Sequence, residues 1–103
     1  MTDRLYNAIG LCQRAGKAQS GAFAAENAIR GGKAKLVLLE ETASEATKTH
    51  YEQMCAAHGV PMRIVDTVGR AIGKESRIVM AVTDAGFRDM IERAIQNTDE
   101  KRG

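Results

Sequence analysis

The sequence predicts an α/β fold in which helices cover both faces of a sheet, a three-layer α-β-α sandwich. Short apolar runs such as Leu36–Leu39 and Ile78–Val82 are typical of strands that are covered on both faces. Amphipathic helical segments separate these runs, so the strands cannot pair as simple hairpins. The 103 residues are enough for one domain with one core. We therefore expect a single domain over residues 1–97, followed by a polar tail over residues 98–103.

The first third of the chain predicts two helices. Apolar side chains recur at helical spacing over residues 3–14, which indicates the first helix. Residues 17–20 are polar and predict a very short strand or a loop. Ser20 is a candidate N-cap for a second helix over Ala22–Arg30, and Gly31-Gly32 ends that helix.

The middle of the chain predicts a strand, a helix and a second strand. Leu36–Leu39 forms the first of these strands, and Thr42 followed by Glu45 forms a capping box for a third helix. Gly59 and Pro61 end the helix, and Met62–Val65 follows as the next strand. One face of the third helix is expected to carry Thr47, His50, Tyr51, Met54 and His58.

The last third predicts a short helix, a strand and a long helix. Asp66 or Thr67 can cap the short helix, which ends at Gly73, and Ile78–Val82 is the strand. Thr83 or Asp84 can cap the final helix. The side chains expected to point inward from it are Phe87, Met90, Ile91 and Ala94.

The charge is small overall but uneven along the chain. The 15 lysines and arginines exceed the 13 acidic residues by only two. Residues 1–35 nevertheless carry six bases against two acids, whereas residues 36–66 carry two bases against five acids. This distribution favours a focused anion-binding site over a uniformly basic surface, although chance clustering predicts the same pattern.

Compartment and membrane association can also be predicted. Cys12 and Cys55 stand far apart in no recognised disulfide or metal spacing, which favours reduced thiols in the cytoplasm. The sequence contains no apolar run of the ~18–20 residues that a membrane span requires, and it begins without an apolar signal region.

The glycine and lysine motifs do not match a nucleotide-binding loop. Such a loop has four residues between its glycines, then Gly-Lys and a Ser or Thr. Gly10–Lys17 has five residues between its glycines and continues with Ala18, whereas Gly69–Lys74 has three and continues with Glu75. We expect no nucleotide hydrolysis.

Metal binding and catalysis are likewise not expected. His50, Cys55 and His58 share one helix, but a structural zinc site needs four ligands, usually from two elements. A cysteine nucleophile needs a base and an orienting third group, and no such third group is evident beside Cys55 and His58. We therefore predict a non-enzymatic protein with no metal and no cofactor.

Two segments are candidates for binding an anionic ligand. The first runs from Arg14 and Lys17 to Ser20-Gly21, where a helix begins with free amides. The second is Gly69–Lys74, in which Arg70 and Lys74 flank an apolar Ile72 that could pack on an unstacked base. Each segment also has a purely structural interpretation, a helix cap for the first and a tight connector for the second.

These segments carry a resemblance to a known family. Leu11–Lys17, Ala28–Leu39, Gly69–Lys74 and Ala81–Phe87 are similar, in order and spacing, to blocks of the bacterial YlxQ-type branch of the kink-turn-binding ribosomal protein superfamily. The blocks extend over most of the chain. The resemblance implies an α-β-α sandwich with a four-stranded mixed sheet. It also implies RNA binding at the start of the second helix and at the loop before the last strand.

The chain departs from the superfamily's RNA motif. Kink-turn binders typically carry Lys-Gly-Thr-Asn-Glu at the start of the second helix, with a Lys one turn later. The matching residues here are Ser20–Ala24, with Asn27 at the later Lys position. The Asn and Glu that would read tandem sheared G·A pairs are therefore absent, which favours recognition of RNA backbone and shape. Phe23 is either a stacking surface for a base or, with at least equal weight, a buried core side chain.

We therefore predict a monomeric RNA-binding accessory of ribosome or transcript metabolism, whose ligand is structured ribosomal or messenger RNA. Ribosomal or transcription-associated proteins are expected as further partners. The alternative is a protein-interaction module that kept the fold and lost RNA binding. The residues predicted to bind RNA are Arg14, Lys17, Ser20, Gly21, Phe23, Asn27, Arg30, Lys33, Gly69, Arg70, Ile72 and Lys74.

Overall fold

A computed structural model describes residues 3–66, 68–73 and 77–102 of the chain, with only the backbone described at Asp3 and residues 97–102. The described part contains nine elements, in which helices and strands alternate. They are α1 (Asp3–Arg14), β1 (Ala18–Ser20), α2 (Ala22–Arg30), β2 (Leu36–Glu40), α3 (Glu45–His58), β3 (Met62–Val65), α4 (Val68–Ala71), β4 (Val79–Val82) and α5 (Ala85–Arg102).

The strands form one mixed sheet of four strands in the order β1-β4-β2-β3. β4 pairs antiparallel with both β1 and β2, and β2 pairs parallel with β3. Leu38 lies opposite Met80 on one side and Arg63 on the other. β1 and β3 are the edge strands, so β1 brings the start of α2 to one edge of the sheet.

Helices cover both faces of this sheet. Successive side chains in a strand point to opposite faces, and both sets are fully buried over Leu36–Leu39 of β2 and throughout β4. Leu36 and Leu38 pack with side chains from α1, α4 and α5, whereas Val37 and Leu39 pack with side chains from α2 and α3. The predicted three-layer α-β-α sandwich with a four-stranded mixed sheet is confirmed.

The caps of α3 and α5 have a simple hydrogen-bond basis. The Ser44 hydroxyl accepts a hydrogen bond from the amide of Thr47 at 3.1 Å, so Ser44 is the N-cap of α3. The predicted capping box from Thr42 to Glu45 was wrong, because the helix starts two residues later than that box requires. Asp84 caps α5 as predicted, since its carboxylate accepts from the amide of Phe87 at 3.0 Å.

Other boundaries and faces also differ from the predictions. The last strand begins at Val79 rather than Ile78. Residues 18–20 form a very short strand, which was one of the two predicted alternatives. In α3 the buried side chains are Tyr51 and Cys55, so the helix turns His50 and His58 outward. Met90 is 40% exposed and does not point inward.

The C-terminal segment continues a helix, because α5 extends through Arg102 and includes most of the residues expected to form a polar tail. Over the described ranges, no helix is both long and apolar enough to cross a membrane.

Candidate nucleic-acid interface

The turn between β1 and α2 is built around Gly21. Its φ of 90° and ψ of 157° lie in a region that is accessible almost only to glycine. Its amide donates to the carbonyl of Val79 at 2.9 Å, which ties the turn to β4. The N-cap of α2 is Gly21 and makes no side-chain cap, so the prediction that Ser20 caps this helix was wrong. Among the residues that the structure describes, no side chain caps the free amides of the first turn of α2.

Arg77 lies against this turn. Its guanidinium donates a hydrogen bond to the carbonyl of Ser20 at 3.2 Å. A Cβ added to Gly21 would collide with the same guanidinium, so the glycine makes room for the arginine. Arg77 is not among the residues that the sequence predicts for the site. Ser20 and Arg77 are 57 positions apart, and no spacing in the sequence links them.

A surface groove follows α2 along the β1 edge of the sheet, and it contains three of the predicted residues, Phe23, Asn27 and Lys33. Phe23 is 83% exposed, so it is not the core phenylalanine that its type would suggest. The groove has a volume of about 480 Å³, and we call it the α2 groove. Its lining is Gln19, Phe23, Ala24, Asn27, Ala28, Gly31, Lys33 and Thr83.

Arg30 also lies on α2, but it has a partner within the protein. Its guanidinium bonds the carboxylate of Glu26 at 3.1 Å. The hydroxyl of Tyr51 donates to Glu26 at 2.9 Å, and a ring nitrogen of His50 lies 3.3 Å from it. This cluster joins α2 to α3, which gives Arg30 a structural function in addition to its positive charge.

The Glu26 cluster changes the ionisation of its members. Burial opposes ionisation of Glu26, but hydrogen bonds from Tyr51, His50 and Arg30, with the charge of His50, outweigh it and lower the pKa of this carboxyl. Burial and the neighbouring carboxylate raise the pKa of Tyr51 above its ordinary value. Glu26 is therefore a carboxylate at neutral pH, and Tyr51 keeps its proton to donate to it.

Arg14 and Lys17 follow the first helix. Arg14 is exposed, and its guanidinium reaches back to Gly10, where the carbonyl of Ala71 in α4 also approaches. Lys17 has an exposed side chain, while its carbonyl accepts from the amide of Thr83 at 2.9 Å. The fold thus places the α1 cation Arg14 beside the end of α4.

The segment around α4 uses part of its motif for packing. Gly69 is buried, and its amide donates to the carboxylate of Glu40 at 3.1 Å. Ile72 is partly buried against the core and is not an outward apolar tip. Arg70 is exposed. Lys74, the last predicted residue of this segment, lies outside the described residues.

The cysteines are in environments that suppress their reactivity. Burial, with a smaller contribution from Asp84, raises the pKa of Cys12 to about 11, and burial raises the pKa of Cys55. Both thiols are therefore protonated at neutral pH and are poor nucleophiles. Within the part of the chain that the structure describes, no three His, Cys, Asp or Glu side chains are grouped so that they could hold a metal ion.

The mixed four-stranded sheet between two layers of helices places the chain among the α-β-α sandwich proteins. Comparison with known proteins identifies the family. Residues 3–92 match the model of the ribosomal protein L7Ae/L30e/S12e/Gadd45 family. The chain belongs to this family.

Individual relatives agree with this assignment. The chain is 43% identical over 86 residues to the RNA-binding protein YlxQ of Bacillus subtilis (strain 168), a match that covers 81% of this chain and 86% of that protein. It is 32% identical over 95 residues to the large ribosomal subunit protein eL30B of Schizosaccharomyces pombe, covering 86% of this chain and 80% of that one.

Solved structures show the same fold. A protein of unknown function from Bacillus halodurans C superposes with a TM-score of 0.84 at 31% identity, over 90% of this chain and 97% of the other. The 15.5kD RNA binding protein of Giardia lamblia superposes with a TM-score of 0.73 at 20% identity, over 96% of this chain and 88% of that one. The second similarity bears on the fold alone.

Proposed function

We propose that the protein is a non-catalytic RNA-binding protein that recognises structured RNA through the start of α2, the α2 groove and nearby cations. The observation that carries the proposal is the position of the exposed aromatic Phe23, which shares the α2 groove with Asn27 and Lys33. A relative at 43% identity is named as an RNA-binding protein. Exposed aromatic, amide and cationic groups are the combination that RNA-binding surfaces use.

We propose that the protein recognises the backbone and the shape of the RNA more than its base pairs. The family's Asn and Glu at the start of α2 are replaced by Phe23 and Ala24, so tandem sheared G·A pairs have no matching side chains there. Free amides in the first turn of α2, together with Arg77, Lys17 and Arg14, can contact phosphates instead. We further propose a monomeric cytoplasmic accessory of ribosome or transcript metabolism.

The test is a binding titration of a kink-turn RNA, a straight duplex and a structured ribosomal RNA fragment. At roughly 150 mM salt, surface charges more than ~8 Å apart are largely screened. We expect preference for the bent or bulged RNA, with an affinity whose logarithm falls by about 0.7–0.9 per contacted phosphate for each tenfold rise in salt. Equal weak binding to all three RNAs would reduce the site to a nonspecific basic surface, and no binding would contradict the proposal.

A second function, a protein-interaction module, is favoured by a different observation. Leu11 and Met90 are 45% and 40% exposed and line a shallow groove between α1 and α5 with Arg4 and Asn7. Exposed apolar side chains that share a groove are typical of protein contact surfaces. Protein binding with a weak salt dependence, and no RNA binding, is the result that would select this function.

A further inference from the structure

Phe23 is unusual among the large apolar side chains of the described residues. The others that are exposed, Tyr6, Leu11, Ile64 and Met90, are 40–45% exposed, whereas Phe23 is 83% exposed. It lies in the first turn of α2, where its ring contributes little to either half of the core. Its aromatic face is therefore available to a ligand.

The rest of the α2 groove has the chemistry of a nucleotide site. Gln19 and Asn27 supply amide groups, which can donate to and accept from the edge of a base. Lys33 supplies a cation, and no acidic residue lines the groove within the described part of the chain. Its volume of about 480 Å³ lies in the range of sites that hold a small molecule, roughly 300–1,000 Å³.

A second cation, Arg77, lies outside the lining of the groove, at the turn that leads into α2. Arg77 lies against Gly21, two residues before Phe23, and donates one hydrogen bond to Ser20. A guanidinium has five N–H donors, so others remain for a phosphate. The groove thus has an aromatic face at Phe23, the amide side chains of two residues and the cation of Lys33 in its lining. Arg77 adds a cation at the turn that precedes α2.

We propose that the α2 groove receives one unpaired nucleotide of the bound RNA, with the base stacked on Phe23 and the phosphates directed to Arg77 and Lys33. The inference rests on the proposed function and specifies its ligand: an RNA with a bulged or looped-out nucleotide. Stacking requires only a π face, so the site would tolerate any of the four bases. A peptide ligand would leave the two cations without partners unless it were acidic, whereas a nucleotide supplies phosphate and ring together.

The experiment compares two RNA hairpins that differ only in whether a single 2-aminopurine is bulged or paired. We expect the wild-type chain to prefer the bulged hairpin and to quench its fluorescence, because stacking quenches this base. Phe23→Ala should lower the affinity for the bulged hairpin roughly tenfold and abolish the quenching. Phe23→Trp should retain both, and Ile64→Ala, which truncates another exposed apolar side chain on the opposite edge strand, should change neither.

The outcomes separate this inference from the proposed function. If wild type prefers the bulged RNA but Phe23→Ala binds equally well, the RNA-binding function stands and the stacking site is excluded. Equal binding of bulged and paired hairpins by wild type would also exclude it. If wild type binds neither hairpin nor any RNA in the first titration, the proposed function and this inference both fail.

Discussion

The start of α2 and the segment around α4 both combine glycines with cations in the sequence, but the fold uses them differently. At the start of α2, Gly21 adopts a backbone conformation that positions an uncapped helix terminus beside Arg77, and Phe23 stays exposed. Around α4, the Gly69 amide is bonded to Glu40 and Ile72 packs against the core. The α2 region therefore presents its groups outward, whereas α4 presents chiefly Arg70.

A motif of glycines and cations therefore does not identify a binding loop by itself. The deciding property is whether the backbone donors and apolar side chains already have partners inside the protein. The amide of Gly69 has a partner in Glu40, whereas the first turn of α2 has no side-chain cap from any described residue. Variants at Gly21 and Glu40 distinguish the two regions.

The largest effect is expected from Gly21→Ala. An L residue in this conformation costs about 1–3 kcal/mol, and displacing Arg77 from Ser20 adds roughly 1 kcal/mol. Urea unfolding should show a loss of about 2–4 kcal/mol. Gly16→Ala is the matched control, because its φ is 74° but nothing lies within 4 Å of the added Cβ, so it should cost only ~1 kcal/mol. Equal losses in the two variants would show that Arg77 does not constrain Gly21.

A smaller loss of stability is expected from Glu40→Ala. It removes the acceptor for the buried amide of Gly69, which should cost about 1–2 kcal/mol in the free energy of unfolding. RNA affinity of the folded protein should not change. Glu40→Gln keeps an acceptor and should recover most of the stability. A large loss of RNA affinity in folded Glu40→Ala would mean that α4 takes part in binding through more than Arg70.

Charge reversal should affect binding and not folding. Lys17→Glu and Arg70→Glu replace exposed cations, and each should weaken RNA binding roughly tenfold, which is about 1.4 kcal/mol. Each should also reduce the salt slope by about 1. Arg93→Glu, at an exposed position of α5, is the control and should leave affinity unchanged. Unchanged RNA affinity in both Lys17→Glu and Arg70→Glu, with normal thermal melts, would show that the proposed surface does not bind RNA.

The smallest effect is a dependence of stability on pH that originates at Glu26. The pKa of this carboxyl is lower in the folded protein than its ordinary value of 4.5, so the unfolded chain binds more protons. Its stabilising contribution is present above pH 4.5 and is lost as the pH falls through the lowered folded pKa. In acid titrations followed by circular dichroism, Glu26→Gln should lose less stability on acidification than wild type. An identical pH dependence would show that the cluster does not stabilise the α2–α3 contact.

Much of the fold could be predicted from the sequence, because the spacing of apolar residues follows which side chains are buried. The apolar runs that form β2 and β4 are fully buried on both faces, and the resemblance to the family supplied the mixed sheet. The predicted start of α3 was wrong because two nearby polar residues, Thr42 and Ser44, can each serve as an N-cap, and the structure uses Ser44. Helical spacing predicts that Met90 points inward. This prediction was wrong because spacing does not show where along its length the helix leaves the core.

The candidate site was less predictable than the fold. The sequence could predict Phe23 and Lys33 as RNA-binding residues, but not the groove that they share, because that groove depends on how α2 packs against β1. Arg77 was missed because only the pairing of β1 with β4 brings it to Ser20. The prediction of an outward apolar tip at Ile72 was wrong, because nothing in the sequence shows that α4 turns this side chain toward the core.

RNA is expected to bind at the α2 side of the protein. The most direct measurement is a titration of ¹⁵N-labelled protein with a bulged or kink-turn RNA, followed through the backbone amide signals. We predict that the largest shifts occur at residues 17–33 and at Arg77, with smaller ones near Arg70, and that the outer face of α3 is unchanged. Shifts concentrated on α3 and β3, or no shifts at all, would contradict the account.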